Sequence, residues 1–409
     1  MGLFSGNGIS NDINFGIEEN TYSMSAAVAP SFATITAENH ERRFYRPELD
    51  ALRFFAFFGV FLFHALPRVT SFYDGNEIPR WITATAIPVF TSGAYGVDLF
   101  FALSAYLITS LLLRERATTG DLDLRGFYLR RILRIWPLYL SFVAFAALAS
   151  LLTPAQHLPL KYVVGYALLA GNWVYTVYGL PASFAIPLWT VSIEEQFYLT
   201  WPLAFRKASL GRMLGIAVGV LVTANVVRVV LAASGASLQA MEYNTLARLD
   251  PIALGVLVAL AGNRLPQFSR AQRIALLAGG ILSWVAAAAF NGWNDPQNPE
   301  TWRLAISHPL IALASIAILL AFLGSQHPFL RNRLLMYLGK ISYGLYVVHE
   351  FGRFCAASFM HPSTPLGVVA QSIVGLAFTI LFAAVSYRWL ESPFLRLKER
   401  FSHVQSRPV

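Results

Sequence analysis

Long apolar stretches alternate with short polar breaks from about residue 51 to residue 389. Runs long enough to cross a bilayer as helices fall at about 51–67, 93–113, 136–153, 187–205, 212–233, 248–262, 274–290, 304–324, 335–356 and 367–389. This pattern predicts an all-α chain: a polytopic membrane helical bundle of about ten transmembrane helices. A further stretch at 162–178 is broken by Gly165, Gly171 and Asn172 and reads as an interfacial or re-entrant element. The first run carries Arg53 and His64 around ten residues without a polar atom in their side chains. Eleven helical steps return almost to the starting azimuth about 16 Å further along, so both side chains leave one face of the rod. Ionisable groups at that depth must meet protein, a water-filled cavity or each other's partners, which makes a functional site the default expectation.

Basic residues set the orientation. Arg42, Arg43 and Arg46 precede the first run, and Arg114 to Arg134 follow the second. Further clusters lie at Arg206, Lys207 and Arg212, at Arg264 to Arg273, at Arg331 and Arg333, and at Lys398 and Arg400. All fall on one side if 162–178 does not cross, giving ten crossings with both termini cytoplasmic in the inner membrane. The loops at 67–92 and 291–303 then face outward. Residues 1–40 lack an apolar run and are expected to form a disordered tail rather than a secretory signal. Residues 41–396 would form the integral membrane domain and 397–409 a cytoplasmic tail.

Composition agrees: 56% of the 409 residues are hydrophobic and 13% are charged, far from the balance of a soluble domain. Cys355 is the single cysteine, which excludes an internal disulfide framework and a cysteine-based metal cluster. The net charge of +9 comes from arginines beside apolar segments, so it reads as topology control and anionic-ligand contact rather than nucleic-acid binding.

Five further constellations could carry chemistry. In LWTVSIEEQFYLTWPL, Glu194 and Glu195 enter an apolar helix, with Tyr198 on the same face as Glu194. Either Glu194 pairs with an imidazole or guanidinium from another helix, or it moves protons. Arg131 and Arg134 in FYLRRILRIWPLYL are helical neighbours whose forks suit phosphate, although for this motif alone plain positive-inside signalling is the favoured reading. In GVDLFFALSAYLITSLL, Asp98 is placed to cap its helix and Ser104 to ease helix packing. Ser342, Tyr346, His349 and Arg353 form a polar stripe at helical spacing, suited to lining a cavity or interface. Arg248 and Asp250 precede Pro251 at the expected first turn of a helix. The bland alternative for the first pair is that Arg53 snorkels and His64 bonds a neighbouring carbonyl. No His/Asp/Glu set shows recognisable metal-ligand spacing, so no metal is expected.

Taken in order, these blocks resemble the membrane-bound acyltransferase-3 family, whose members include O-antigen and exopolysaccharide O-acetyltransferases and some antibiotic acylases. The resemblance runs from about Arg46 to Pro393. The basic-X10-His spacing from Arg53 to His64 looks like the family hallmark and RILR at 131–134 like its R-X-X-R element. LWTVSIEEQFY and ISYGLYVVH are similar to its usual strings, whereas Ala105 stands where a glycine is usual. Nothing resembles the hydrolase-like domain that some members append, so acceptor handling is expected within the membrane part. The resemblance implies an O-acyltransferase using cytoplasmic acyl-CoA, most simply acetyl-CoA, as co-substrate, with no permanently bound cofactor. The acceptor would be a carbohydrate or other glycan hydroxyl, and the further partners membrane lipid but no nucleic acid. It places His64 as general base with Glu194 orienting it, and Arg53, Arg131 and Arg134 on the CoA phosphates. Asp98, Ser104, Tyr198, Arg248, Tyr346 and His349 would line the cavity. A secondary transporter or flippase for a polar or anionic solute is the rival reading of the same intramembrane charges.

Overall fold

The computed structural model describes residues 45–292 and 300–401. The expected tail at 1–40, most of the 291–303 loop and residues 402–409 lie outside the described residues. The helices that build the bundle and its site are α1 (Pro47–Ala65), α2 (Arg80–Ser92), α3 (Gly96–Thr119), α4 (Leu124–Leu152), α5 (Leu188–Arg206), α6 (Leu210–Ala233), α7 (Asp250–Ala261), α8 (Arg270–Asn291), α9 (Thr301–Phe322), α10 (Ser342–Phe359) and α11 (Pro365–Ser386). Among the described residues no strand forms beyond an isolated bridge between His157 and Ala182.

Among the described residues, six helical runs are long and apolar enough to cross a membrane: Arg80–Thr119, Leu124–Leu152, Leu210–Ala233, Arg270–Asn291, Thr301–Phe322 and Pro365–Glu399. The chain is thus an all-helical, multi-pass membrane protein, with six such runs where the apolar pattern predicted about ten. Polar residues account for much of the difference. Glu48, Asp50 and Arg53 dilute α1, Glu194 and Glu195 dilute α5, and Glu350 and Arg353 dilute α10. Those helices lie inside the bundle against protein, where the lipid criterion does not apply. Helix α7 has only 12 residues, about 18 Å at the helical rise, yet most of it is buried.

The outer helices are inside-out relative to a soluble protein. Only 17% of the apolar window of α6, and the same share of α8, is buried inside the protein. Val218, Val222, Val226 and Val229 on α6 are exposed, as are Ile274, Ile281 and Leu282 on α8. Such faces are stable only against lipid.

Several local expectations change. The segment 67–92, expected as an outward loop, contains helix α2, which runs through a single tight turn at Gly93–Tyr95 into α3. A Cβ on Gly93 would lie 2.1 Å from the Gly59 carbonyl oxygen, so that turn touches α1 backbone to backbone. The stretch 162–178 forms two eight-residue helices, Leu160–Ala167 and Gly171–Tyr178, each about 12 Å long and far short of a bilayer. Asn172 ties the second to α5 by accepting from Gln196 at 3.0 Å, and to the turn ahead of α7 by donating to Thr245 Oγ1 at 2.8 Å. The span expected at 335–356 is broken at Ile341 into a helix at Arg333–Lys340 and α10. The tail expected at 397–409 begins inside a helix, Ser392–Glu399. In the loop between α3 and α4, Arg206 donates to the exposed Asp121 at 3.0 Å. That bond, with the Leu122 N–H, holds the Asp121 carboxyl below its usual value.

Candidate active site

Helix α1 is the axis of the site. Pro47 at its start is preorganised for the first turn, and Glu48 and Asp50 complement the positive end of its dipole. Leu66 leaves the helix in an extended conformation, as the residue before Pro67 must. Arg53 therefore sits near one end and His64 near the other.

At the Arg53 end, α1, α3, α4, α5 and α10 enclose a cavity of about 150 Å³. Arg46, Arg53, Arg131 and Arg134 line it against only two carboxylates, Asp50 and Glu194. Arg53 donates to Asp50 at 2.9 Å, and Asp50 also accepts from Tyr45. Among the described residues, no carboxylate pairs with Arg131 or Arg134. The Arg131 Nε is buried without an acceptor, its guanidinium lying over the rings of Phe127 and Tyr198. A desolvated arginine cluster with an excess of positive charge is a receptor for a polyanion such as phosphate. The three arginines singled out in the sequence thus share one chamber.

Glu194, Ser104, Tyr198 and Tyr346 line the same cavity. Ser104 donates to Glu194 Oε1 at 2.9 Å and Tyr198 to its Oε2 at 3.2 Å, so Ser104 holds a carboxylate instead of merely easing helix packing. Thr190 donates to the Tyr346 hydroxyl at 2.9 Å. Glu195 points the other way, accepting from the Trp136 indole at 3.0 Å. The adjacent carboxylates therefore diverge onto different partners, as a helical pitch requires.

The expected pairing of His64 with Glu194 does not form. His64 Nδ1 instead faces Glu350 Oε1 on α10 at 3.1 Å. Glu350 is held in turn by Arg353, which donates to both of its oxygens at 2.8 and 2.7 Å. The reason is axial: Glu194 belongs to the arginine chamber, while the far end of α1 lies against α10. His349 sits here too and not in the cavity wall, its ring 5.2 Å from that of His64. Its Nδ1 donates to the Tyr346 carbonyl at 2.7 Å. Tyr346 therefore joins the two regions, its phenol in the cavity wall and its carbonyl on His349.

Asp98 and Arg248 belong to neither region. No side-chain cap forms on α3, and Asp98 accepts instead from Arg248 at 3.1 Å. Arg248 also meets Glu242 at 3.3 Å and His308 Nε2 at 2.7 Å, all four groups being buried. Beside them Arg228 grips Asp250 through both carboxylate oxygens at 2.9 and 3.1 Å. This network ties α3, α6, α7 and α9 together. Low dielectric makes such pairs expensive to form and more expensive to break.

Glu350 is the residue beside His64 that sequence reasoning misses. A signal for it exists, since it is a carboxylate in an apolar run, next to His349 and three residues before Arg353. What no spacing rule supplies is that α10 lies against the end of α1.

Comparison with known proteins places the chain in a family. Residues 46–388 match the family model described as an acyltransferase domain, acyltransferase-3. A provisionally named O-acetyltransferase of Staphylococcus aureus is 28% identical over 382 residues, covering 86% of this chain and 57% of its own. A peptidoglycan O-acetyltransferase of Listeria monocytogenes is 27% identical over 379 residues, covering 86% of this chain and 56% of its own. The chain thus spans a little over half the length of these relatives. No solved structure matches.

Proposed function

The chain belongs to the acyltransferase-3 family, and from that premise we propose that it is an inner-membrane O-acyltransferase with both termini cytoplasmic. It takes an acyl group, acetyl in the simplest case, from cytoplasmic acyl-CoA and passes it to a glycan hydroxyl. The observation that carries this reading is the division of α1 into two chemistries. At one end three arginines, Arg53, Arg131 and Arg134, share a cavity. At the other a histidine is backed by a carboxylate. The first suits the phosphates of CoA, and the second suits proton transfer from a hydroxyl. About 16 Å separates them along the helix, a distance comparable to an extended pantetheine arm.

In this reading the Glu350 carboxylate, 3.1 Å from His64 Nδ1, favours the hydrogen on that nitrogen, which leaves Nε2 as a bare lone pair. Nε2 takes the acceptor's hydroxyl proton as that oxygen attacks the thioester carbonyl. The tetrahedral intermediate then collapses, breaking the C–S bond, and the imidazolium returns its proton to the departing thiolate. Glu350 stabilises the imidazolium while it exists, as the carboxylate of a triad does. Glu194, held by Ser104 and Tyr198, shapes the route that the thioester follows past Tyr346. That relatives carry peptidoglycan O-acetyltransferase names supports a glycan acceptor.

The test is thiol release from acetyl-CoA by the purified protein, with and without peptidoglycan fragments, for wild type and His64→Ala. Release that needs His64 and rises with the glycan supports the reading. Wild-type release by His64→Ala overturns the base assignment, and no acetyl-CoA binding at all overturns the donor.

A further inference from the structure

His349 has an unusual electrostatic position. A carbonyl oxygen can only accept, so the bond to Tyr346 fixes the hydrogen on Nδ1 and leaves Nε2 with a bare lone pair. Nε2 is fully buried and has no hydrogen-bond partner. Glu350 Oε1 lies 3.6 Å from it, so two acceptors sit side by side. Glu350 Oε1 lies 3.1 Å from His64 Nδ1, and the donor atoms of all three residues fall within 4.8 Å of one another.

We propose that His64, His349 and Glu350 form a binding site for a divalent transition metal, zinc above all, and that the bound metal inhibits the enzyme. The donor set of two imidazoles and one carboxylate is one that zinc accepts with a fourth position open. Tetrahedral zinc with bonds of about 2.0–2.1 Å places neighbouring donors about 3.3 Å apart, and the two contacts to Glu350 Oε1, at 3.1 and 3.6 Å, bracket that value. The outer support of a zinc site is also in place. His349 gives its other ring N–H to a backbone carbonyl, and Glu350 is oriented by Arg353. Imidazole donors disfavour magnesium and calcium, which take oxygen ligands. Access is open, because the His64, Glu350 and Arg353 side chains keep 28%, 18% and 30% of their surface. Zinc takes the place of the proton on His64 Nδ1 and engages Glu350 itself, so the carboxylate no longer backs the imidazole. Sequence spacing could not show this site, because one ligand comes from α1 and two from α10.

Zinc binding is read by isothermal titration calorimetry on the chelator-stripped, detergent-solubilised protein, so that the result stands apart from catalysis. Wild type is expected to bind one Zn2+ ion in the micromolar range, and neither Mg2+ nor Ca2+. His349→Ala and the milder His349→Gln should each weaken zinc binding at least tenfold, with folding verified by size-exclusion profile and melting temperature. X-ray absorption at the zinc edge should show two imidazole shells in wild type. Absence of zinc binding, or equal binding by wild type and both variants, overturns the proposal. The inhibition arm alone rests on the role proposed for His64: zinc should block thiol release and a chelator should restore it. If His64→Ala keeps full transfer but loses zinc, the base assignment fails and the metal site stands.

Discussion

Replacing Glu350 by glutamine removes one charge and leaves the shape of the side chain, so it isolates the carboxylate's share of catalysis. At the 3.1 Å separation from His64, a full ionic interaction is worth about 5 kcal/mol at an effective dielectric of 20 and about 1.3 kcal/mol in bulk water. Both side chains are partly exposed, at 28% and 18%, so the site lies between these limits. An expected loss of about 2–3 kcal/mol of imidazolium stabilisation corresponds to a roughly 30–150-fold fall in kcat/KM. The loss arises in the transition state, where the imidazole becomes charged, so it falls on kcat, with KM for acetyl-CoA changed by no more than about twofold. The arginine cavity is untouched, because Glu350 does not line it. The Arg353 side chain is partly exposed and recovers water in the variant, so folding is expected to survive. Steady-state thiol release with acetyl-CoA and acceptor in turn saturating separates the two constants. If Glu350→Gln stays within about threefold of wild type while His64→Ala is inactive, the carboxylate does not back the imidazole and the reasoning fails.

Other substitutions probe the remaining regions. Arg131→Ala removes an unpaired guanidinium from the cavity wall; losing one charge-assisted contact of about 1.5–3 kcal/mol should raise KM for acyl-CoA roughly 10–150-fold, and Arg131→Lys should restore little of it because the fork is lost. Isothermal titration with acetyl-CoA checks this directly, and unchanged affinity would remove Arg131 from the donor site. Arg248→Met leaves Asp98 and Glu242 buried without their cation, at a cost of about 3–5 kcal/mol. A melting curve in detergent should show a clear drop, and an unchanged midpoint would mean that the network is not a clamp. In Gly339→Ala the new methyl would lie 2.0 Å from the Asp50 carbonyl oxygen. The displaced start of α1 should carry Arg53 with it, weakening acetyl-CoA binding at an overpacking cost of about 1–3 kcal/mol. Normal binding and melting would show that the contact between the 333–340 helix and α1 is soft.

How much was legible followed from the range of the forces involved. Helix placement is local, and the apolar periods located most of the long helices, although α4 starts at Leu124, well before its apolar run at 136–153, and α2 fell in an expected loop. The break at Ile341 escaped because the residues either side keep helical periodicity. The arginine chamber was also readable, since Arg53, Arg131 and Arg134 lie in short patterns whose chemistry is carried by residue type. Glu194 shows the limit. A carboxylate in an apolar helix announces a partner without naming it, and the named candidate, His64, proved to belong to Glu350. Asp98 and Arg248, expected at the cavity, lie in a buried network because α7 and α9 turn that face inward.

The amino-acid order by itself determined that the chain is helical, that it lives in a membrane and where its charges concentrate. These are properties of stretches of about twenty residues and of the solvent around them. Which charges meet is settled by packing. A buried ion seeks a counter-ion wherever packing provides one, and packing here brings α10 against the end of α1 across nearly three hundred residues of chain. That contact makes His64, His349 and Glu350 a single constellation, and it depends on how whole helices fit together.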